Sequence, residues 1–309
     1  MKRRELPSEF QASAPTRLDF AGGWTDVPPF STREGGVVVN GCIGLSAHVG
    51  LKLGGALIRL VSEDLGQELE CADSRGLVLD GRLDLVKAAL RMFPVQSACT
   101  LTTRSDAPPG SGLGSSGALD VALVAALSGA RGERLSEREI AEQAWYLETV
   151  EAKIPGGKQD QFAAALERQT VLCYTGRSRV SGATIARVMG AYQRGDGEVT
   201  GALRAMRDLA DAMAEALRAS DLARVAQLLS ANWRRQQALD AEMQTSEMAR
   251  LEQALAQAGA LGGKAAGSGA GGAMFFIARD DPRPALAAAR EAGATVLPVR
   301  WTSAGVRAW

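Results

Sequence analysis

The 309-residue chain holds a single histidine, His48. That scarcity removes Ser-His-Asp and Cys-His nucleophilic chemistry, along with any metal site built on several imidazoles. Net charge is missing too. Lys plus Arg number 35 and Asp plus Glu number 35, which leaves no field to draw the protein to nucleic acid or an anionic membrane. The four cysteines, Cys42, Cys71, Cys99 and Cys173, form no C-x-x-C pair. Buried free thiols in a reducing cytoplasm are therefore expected, not disulfides or zinc ligands. There is no uninterrupted apolar run of membrane-spanning length, and the charged start MKRRELPSEFQ is not followed by the apolar stretch of a secretory signal. These absences predict a soluble, cytoplasmic protein with no nucleic-acid or membrane partner.

What remains is globular composition, 46% hydrophobic and 23% charged. Strand-like segments dominate the first hundred residues, among them EGGVVVNGCIGLSAHVGLKL, ALIRLVS and ACTLTT, with a helical spacing at Leu83 to Phe93. Two helices are expected at about 116–127 and 136–151; the second opens on Ser136 with Glu139 three positions on, a capping-box pattern. A strand at 169–175 and long Ala/Leu/Arg-rich helices over 182–259 come next. The C-terminal part reads strand, glycine turn, strand, helix, strand. The composition shift near residue 168 predicts two domains, 1–168 and 169–309.

One stretch raises a chemical question. PPGSGLGSSG, Pro108 to Gly117, runs directly into the apolar ALDVALVAAL. Gly112, Gly114 and Gly117 spell G-x-G-x-x-G, yet the following helix leads to a second helix where a dinucleotide fold needs a strand. No lysine stands in the loop for a P-loop, and no H-R-D occurs downstream for a protein-kinase glycine loop. What survives is a phosphate cradle in which glycines allow close backbone approach and a helix N-terminus supplies N–H groups and partial positive charge. Ser115 is expected to cap the helix; Ser116 could either cap it or reach a phosphate-bound metal.

At this point the residues resemble the GHMP small-molecule kinases. PPGSGLGSSG is similar to that family's ATP motif, APTRLDFAGGWTDVPPF (Ala14 to Phe30) to its substrate motif, and GGKAAGSGAGGAMFF (Gly262 to Phe276) to its C-terminal glycine motif. The three occur in the family's order. Within the family, GGWTDVPPF, PGGKQDQFAAA, YTGRSR and GVRAW resemble the heptose 7-phosphate kinase and fucokinase-like branch, which phosphorylates an anomeric hydroxyl. The resemblance implies an α+β fold: a ribosomal-protein-S5-like N-terminal domain and a ferredoxin-like C-terminal one. It further implies ATP and Mg²⁺ as cofactors and a sugar or sugar phosphate as the small-molecule partner. The chain joins AAALERQTVLCYTG almost directly where such kinases carry extra strands, a departure that bears on substrate size and on activity.

By the same resemblance, Pro109, Gly110, Gly112, Leu113, Gly114, Ser115, Ser116 and Gly117 hold the nucleotide. Asp160 is the expected base that accepts the proton of the attacking hydroxyl, and Arg17 assists it and the transferred group. Without the resemblance, Asp160 reads equally well as a first-turn helix carboxylate and Arg17 as a surface strand residue. Ser116 and Glu148 are the expected Mg²⁺ ligands; Glu142 and Glu151 are charged neighbours that make a solvent-facing Glu148 the alternative. Asp26, with Thr25 beside it, could accept hydrogen bonds from vicinal sugar hydroxyls, or simply form a turn before Pro28. Lys158 and Gln159 support the substrate pocket. Arg179, with Arg177, could grip a second phosphate or stand solvated in a loop. Gly269 and Gly271 belong to the turn expected to approach the substrate cleft. Other readings stay open: another sugar or small alcohol as acceptor, or a nucleotide-binding regulator that has lost catalysis.

Overall fold

The computed structural model describes residues 8–73, 76–95, 98–154, 170–177, 181–279, 281–302 and 306–309. Its first sheet is built from β1 (Glu9–Ala21), β2 (Val39–Leu53), β3 (Ile58–Ser62), β4 (Gln67–Cys71), β5 (Cys99–Ser105) and β10 (Arg307–Ala308), in the order β10-β1-β2-β5-β3-β4. Every pairing is antiparallel except β3 with β5, between which the chain runs through β4 and then α2 (Asp84–Met92). The short β10 pairs with β1 at Ala12 and Ser13, so the sheet that opens the chain is completed near residue 308.

Helix α3 (Ser115–Ala130) packs across β1 and β2. Its apolar residues run all round the barrel, and Ala118, Ala122, Leu123, Val124, Ala126 and Leu127 are buried. Such a helix must be enclosed, and α4 (Glu137–Tyr146) covers its other side. The start of α4 carries the expected capping box: Ser136 Oγ accepts the Glu139 N–H and Glu139 accepts the Ser136 N–H. Its end differs from expectation. The helix predicted to run to 151 changes at Leu147 into a π-helical turn, Leu147–Glu151.

The second sheet contains β6 (Thr170–Tyr174), β7 (Ala260–Ala265), β8 (Ala273–Ala278) and β9 (Thr295–Leu297), all antiparallel, in the order β7-β8-β6-β9. Between its first two strands lie α5 (Ser181–Gln193), α6 (Gly197–Arg218), α7 (Leu222–Gln237) and α8 (Ser246–Gln257); α9 (Arg283–Glu291) links its last two. This order, with helices between strands one and two and between three and four, is the ferredoxin-like arrangement that the family resemblance implies. Three of the helices have side-chain caps: Asp196 on α6, Asp221 on α7 and Thr245 on α8. Each such cap contributes about 1 kcal/mol.

The sheets share a core. Leu18, Phe20 and Ala21 of β1 pack with Leu172 of β6, Phe275 and Ile277 of β8, and Leu228 and Leu229 of α7. Phe20 meets Phe275 edge-on at 5.5 Å and stacks on Trp301 at 5.6 Å. Burying each such side chain stabilises the fold by about 1.5–3 kcal/mol, which fixes β1 between the two halves. That position matters, because β1 carries the residues around which the glycine segments assemble.

Candidate active site

The glycine loop leaves β5 and turns into α3 through Gly110, Gly112 and Gly114, whose φ values are 66°, 76° and 75°. Side chains other than glycine are strained in that left-handed region. Gly114 is the N-cap residue of α3, and no side chain caps the helix. The expectation that Ser115 caps is therefore corrected: Ser115 already lies within the first turn, where its hydroxyl cannot reach back over the helix mouth. The first intrahelical bond is the Ala118 N–H to the Gly114 carbonyl at 2.9 Å, so the N–H groups of Ser115, Ser116 and Gly117 precede the ladder. Ser111 Oγ and Ser115 Oγ are buried and find no hydrogen-bond partner among the described residues. Orphaned hydroxyls, uncommitted N–H groups and a helix N-terminus together fit a polyphosphate. Leu113 contributes main chain only, its side chain being buried in the core, and Pro109 stands exposed at the loop tip.

Ser116 and Glu148 come together although 32 residues separate them: the Ser116 hydroxyl donates to Glu148 Oε1 at 3.0 Å. The π-helical turn explains why Glu148 is the one chosen. An extra residue in the turn rotates the side chains along it out of the α-helical register, leaving Glu148 only 8% exposed, while Glu142 faces solvent and Glu151 is half-buried. Periodicity at 3.6 residues does not foresee such a turn.

Arg17 is no surface residue; it is buried on β1. Its Nη1 donates to the Gly112 carbonyl at 2.8 Å and lies 3.4 Å from the Ala266 carbonyl, and its main-chain N–H donates to the Leu113 carbonyl. The phosphate loop and the C-terminal glycine turn thus meet at one guanidinium. They also touch directly. A Cβ on Gly267 would stand 2.3 Å from the Gly112 oxygen, one on Gly272 would stand 2.5 Å from the Ser111 oxygen, and the Ala273 N–H donates to that same Ser111 oxygen at 2.6 Å. Gly269 and Gly271 face elsewhere, toward Met243 and the Arg177 carbonyl. Arg177 itself receives the Gly272 N–H on its carbonyl and extends an exposed guanidinium to 3.7 Å from Glu247.

The GGWTD segment folds back on itself. Thr25 Oγ1 donates to the Gly22 carbonyl at 2.7 Å and also bonds the main chain of Val37, so this hydroxyl closes the loop. Trp24 is buried with a left-handed φ of 82°. Asp26 is half-buried beside it. Phe30 and Glu34 of α1 (Phe30–Glu34) anchor the segment, Phe30 against the Tyr192 ring and Glu34 on Tyr192 Oη and Arg204. Lys158, Gln159, Asp160 and Arg179 lie outside the described residues, as does the junction after Leu166.

Four residues of this region have contacts that the sequence does not foresee, although Asp19 and Lys264 lie inside two of the motifs. Lys264 Nζ donates to both the carbonyl and the Oδ2 of Asp19, each at 2.7 Å, with both side chains almost wholly buried. Burial is the largest influence on Lys264 and lowers its pKa; the Asp19 charge opposes this and the Arg17 charge adds to it. On α7, Asn232 accepts the Gly22 N–H and Gln236 donates to the Gly267 carbonyl. A charge inside apolar strands was the available signal for the first pair; nothing local marks the second.

A buried arginine binding a glycine-rich helix mouth, with a serine–glutamate pair at that mouth, has the chemistry to hold a polyphosphate. Residues 83–168 match the GHMP kinases N terminal domain and residues 213–295 the GHMP kinases C terminal domain. The chain is 30% identical to D-glycero-alpha-D-manno-heptose 7-phosphate kinase of Campylobacter jejuni, over 97% of this chain and 98% of that one. Its fold is that of a D-glycero-D-manno-heptose 1-phosphate kinase from Bacteriodes thetaiotaomicron (TM-score 0.77, 22% identity, 97% and 98% of the two chains covered). It is also that of Lactococcus lactis galactokinase (TM-score 0.79, 18% identity, 98% and 96% covered). The protein belongs to the GHMP kinase family, and it is a kinase with ATP as phosphoryl donor.

Proposed function

We propose that this kinase transfers the γ-phosphoryl group of ATP to the anomeric hydroxyl of a sugar phosphate of the heptose 7-phosphate class. The observation that carries the reading is the Ser116–Glu148 pair at the mouth of α3, beside a loop whose orphaned hydroxyls suit phosphate. The likeness to the Campylobacter jejuni enzyme over nearly the whole of both chains supports the acceptor class. Free thiols and ATP chemistry suit a reducing cytoplasm, and among the described residues no helix is long and apolar enough to cross a membrane.

In this reading the N–H groups of Ser115, Ser116 and Gly117 and the loop glycines bind the triphosphate. Ser116 Oγ and Glu148 supply two hard oxygens suited to Mg²⁺, which neutralises phosphate charge when bound. Asp160 takes the proton as the sugar oxygen bonds to the γ-phosphorus, and the bond to the β-phosphate oxygen breaks to release ADP. Arg17 holds the loop carbonyl of Gly112 and offers positive charge where negative charge is redistributed. Asp26, Lys158 and Gln159 orient the sugar, and Arg177 and Arg179 are the groups assigned to bind its distal phosphate.

ADP release from Mg·ATP is the test, with free sugars and sugar phosphates side by side. Turnover is expected on sugar phosphates, with the product phosphorylated at the anomeric carbon. Preference for free sugars refutes the acceptor class. An Asp160→Ala protein should bind ATP and lose turnover; wild-type turnover would remove Asp160 from the mechanism.

A further inference from the structure

The buried pair Asp19–Lys264 has no evident value as a stabiliser. Taking two charges out of water costs several kcal/mol each, and well-packed apolar residues often do as well or better in the same space. Its geometry points to another use. Lys264 belongs to β7 and Asp19 to β1, so the contact ties the two sheets across 245 residues. One ammonium grips the main chain and the side chain of the same residue, which fixes the strand and not only the carboxylate. Gly23 walls the carboxylate in, since a Cβ there would stand 2.3 Å from Asp19 Oδ2.

The grip reaches the reacting region in two bonds. Asp19 and Arg17 share one face of β1, being two residues apart on a strand. The Asp19 N–H donates at 3.1 Å to the Ala266 carbonyl, two residues beyond Lys264, and that carbonyl lies 3.4 Å from Arg17 Nη1. Arg17 in turn holds Gly112 and Leu113 of the phosphate loop. We infer that Lys264, acting through Asp19, is a positioning residue that sets Arg17 and the phosphate loop for phosphoryl transfer.

This role rests on the kinase reading above. The variants are Lys264→Met, the double variant Asp19→Asn with Lys264→Met, and Lys264→Gln. Misplacing reacting groups by about 1 Å costs on the order of 10²-fold in rate, so kcat should fall by about that factor in the first two variants. KM for the sugar should move by less than about threefold, because its binding needs no contact with Lys264 or the phosphate loop, while KM for ATP should rise by less than kcat falls. Lys264→Gln keeps a donor and should recover part of kcat. The double variant, with both charges gone, should regain the melting temperature lost in Lys264→Met while staying slow.

A double variant with wild-type kcat, or a loss confined to KM, overturns the proposal. A readout independent of turnover is amide hydrogen exchange over 110–114 and 266–272 with β,γ-imido-ATP. Wild type should gain protection in both segments on binding the analogue, and Lys264→Gln and the double variant should gain less. Equal protection overturns the proposal. Should wild type phosphorylate no sugar yet show this difference, the function above fails and the positioning role stands.

Discussion

Replacing Gly267 by alanine tests the contact between the two glycine segments directly. The added methyl carbon would stand 2.3 Å from the Gly112 carbonyl oxygen and 3.1 Å from its carbon. Both are main-chain atoms, so no rotamer change relieves the overlap. Gly267 is not among the positive-φ glycines, and alanine brings no backbone strain of its own. Restoring ordinary contact requires the loop and the turn to part by roughly 1 Å in a close-packed interior. Overpacking of this kind costs about 1–3 kcal/mol. At about 2 °C per kcal/mol for a chain of this size, Tm should fall by about 2–6 °C. A 1 Å displacement beside the phosphate loop should lower kcat by about 10²-fold. Steady-state ADP release and a thermal scan measure both. Gly195→Ala is the control: its φ is 80°, nothing lies within 4 Å of the new methyl, and it sits between α5 and α6. The control should lose stability and keep turnover. If Gly267→Ala turns over as fast as the control, the contact does not set the loop.

Glu148→Gln keeps the shape of the side chain and removes its charge, so the Mg²⁺ concentration giving half-maximal rate should rise at least about tenfold; unchanged Mg²⁺ dependence rules the role out. Burial is the largest influence on Asp106 and raises its pKa, but hydrogen bonds from His48, the Ser46 N–H and Arg104 leave it lowered overall. A lowered folded value contributes stability that is complete above the unfolded value of about 3.9 and is lost as pH falls through the folded value. Asp106→Asn should therefore flatten the fall of Tm below about pH 4, and a slope identical to wild type would contradict this. Burial pushes the Cys99 thiol up to about 11 and Cys173 to about 12. Native labelling at neutral pH should reach Cys42 before either; prompt modification of Cys173 would contradict its enclosure in β6.

Local chemistry was legible in the sequence, and chain-wide geometry was not. Glycines feeding an apolar run foretold the helix mouth at Gly114, and Ser136 with Glu139 foretold a cap that the structure contains. The order strand, turn, strand, helix, strand foretold the end of the second sheet. Hidden were the features that depend on who meets whom. Arg17 looks like any strand arginine until Gly112 and Ala266 are folded against it. Lys264 sits in a glycine-rich run with no partner within twenty residues. The π-helical turn that buries Glu148 violates the very periodicity used to predict the helix. Asn232 and Gln236 differ from the other polar residues of α7 only in what they touch.

The pairing of β10 with β1 sets an order on biosynthesis. Gln11 exchanges both main-chain hydrogen bonds with Trp309, at 2.7 and 2.9 Å, so one flank of the strand that carries Arg17 and Asp19 is sealed by residues translated almost three hundred codons later. While the ribosome is still extending the helices of the second half, that flank offers bare N–H and C=O groups to any passing strand. A premature stop after the second sheet would leave this adhesive flank permanently open.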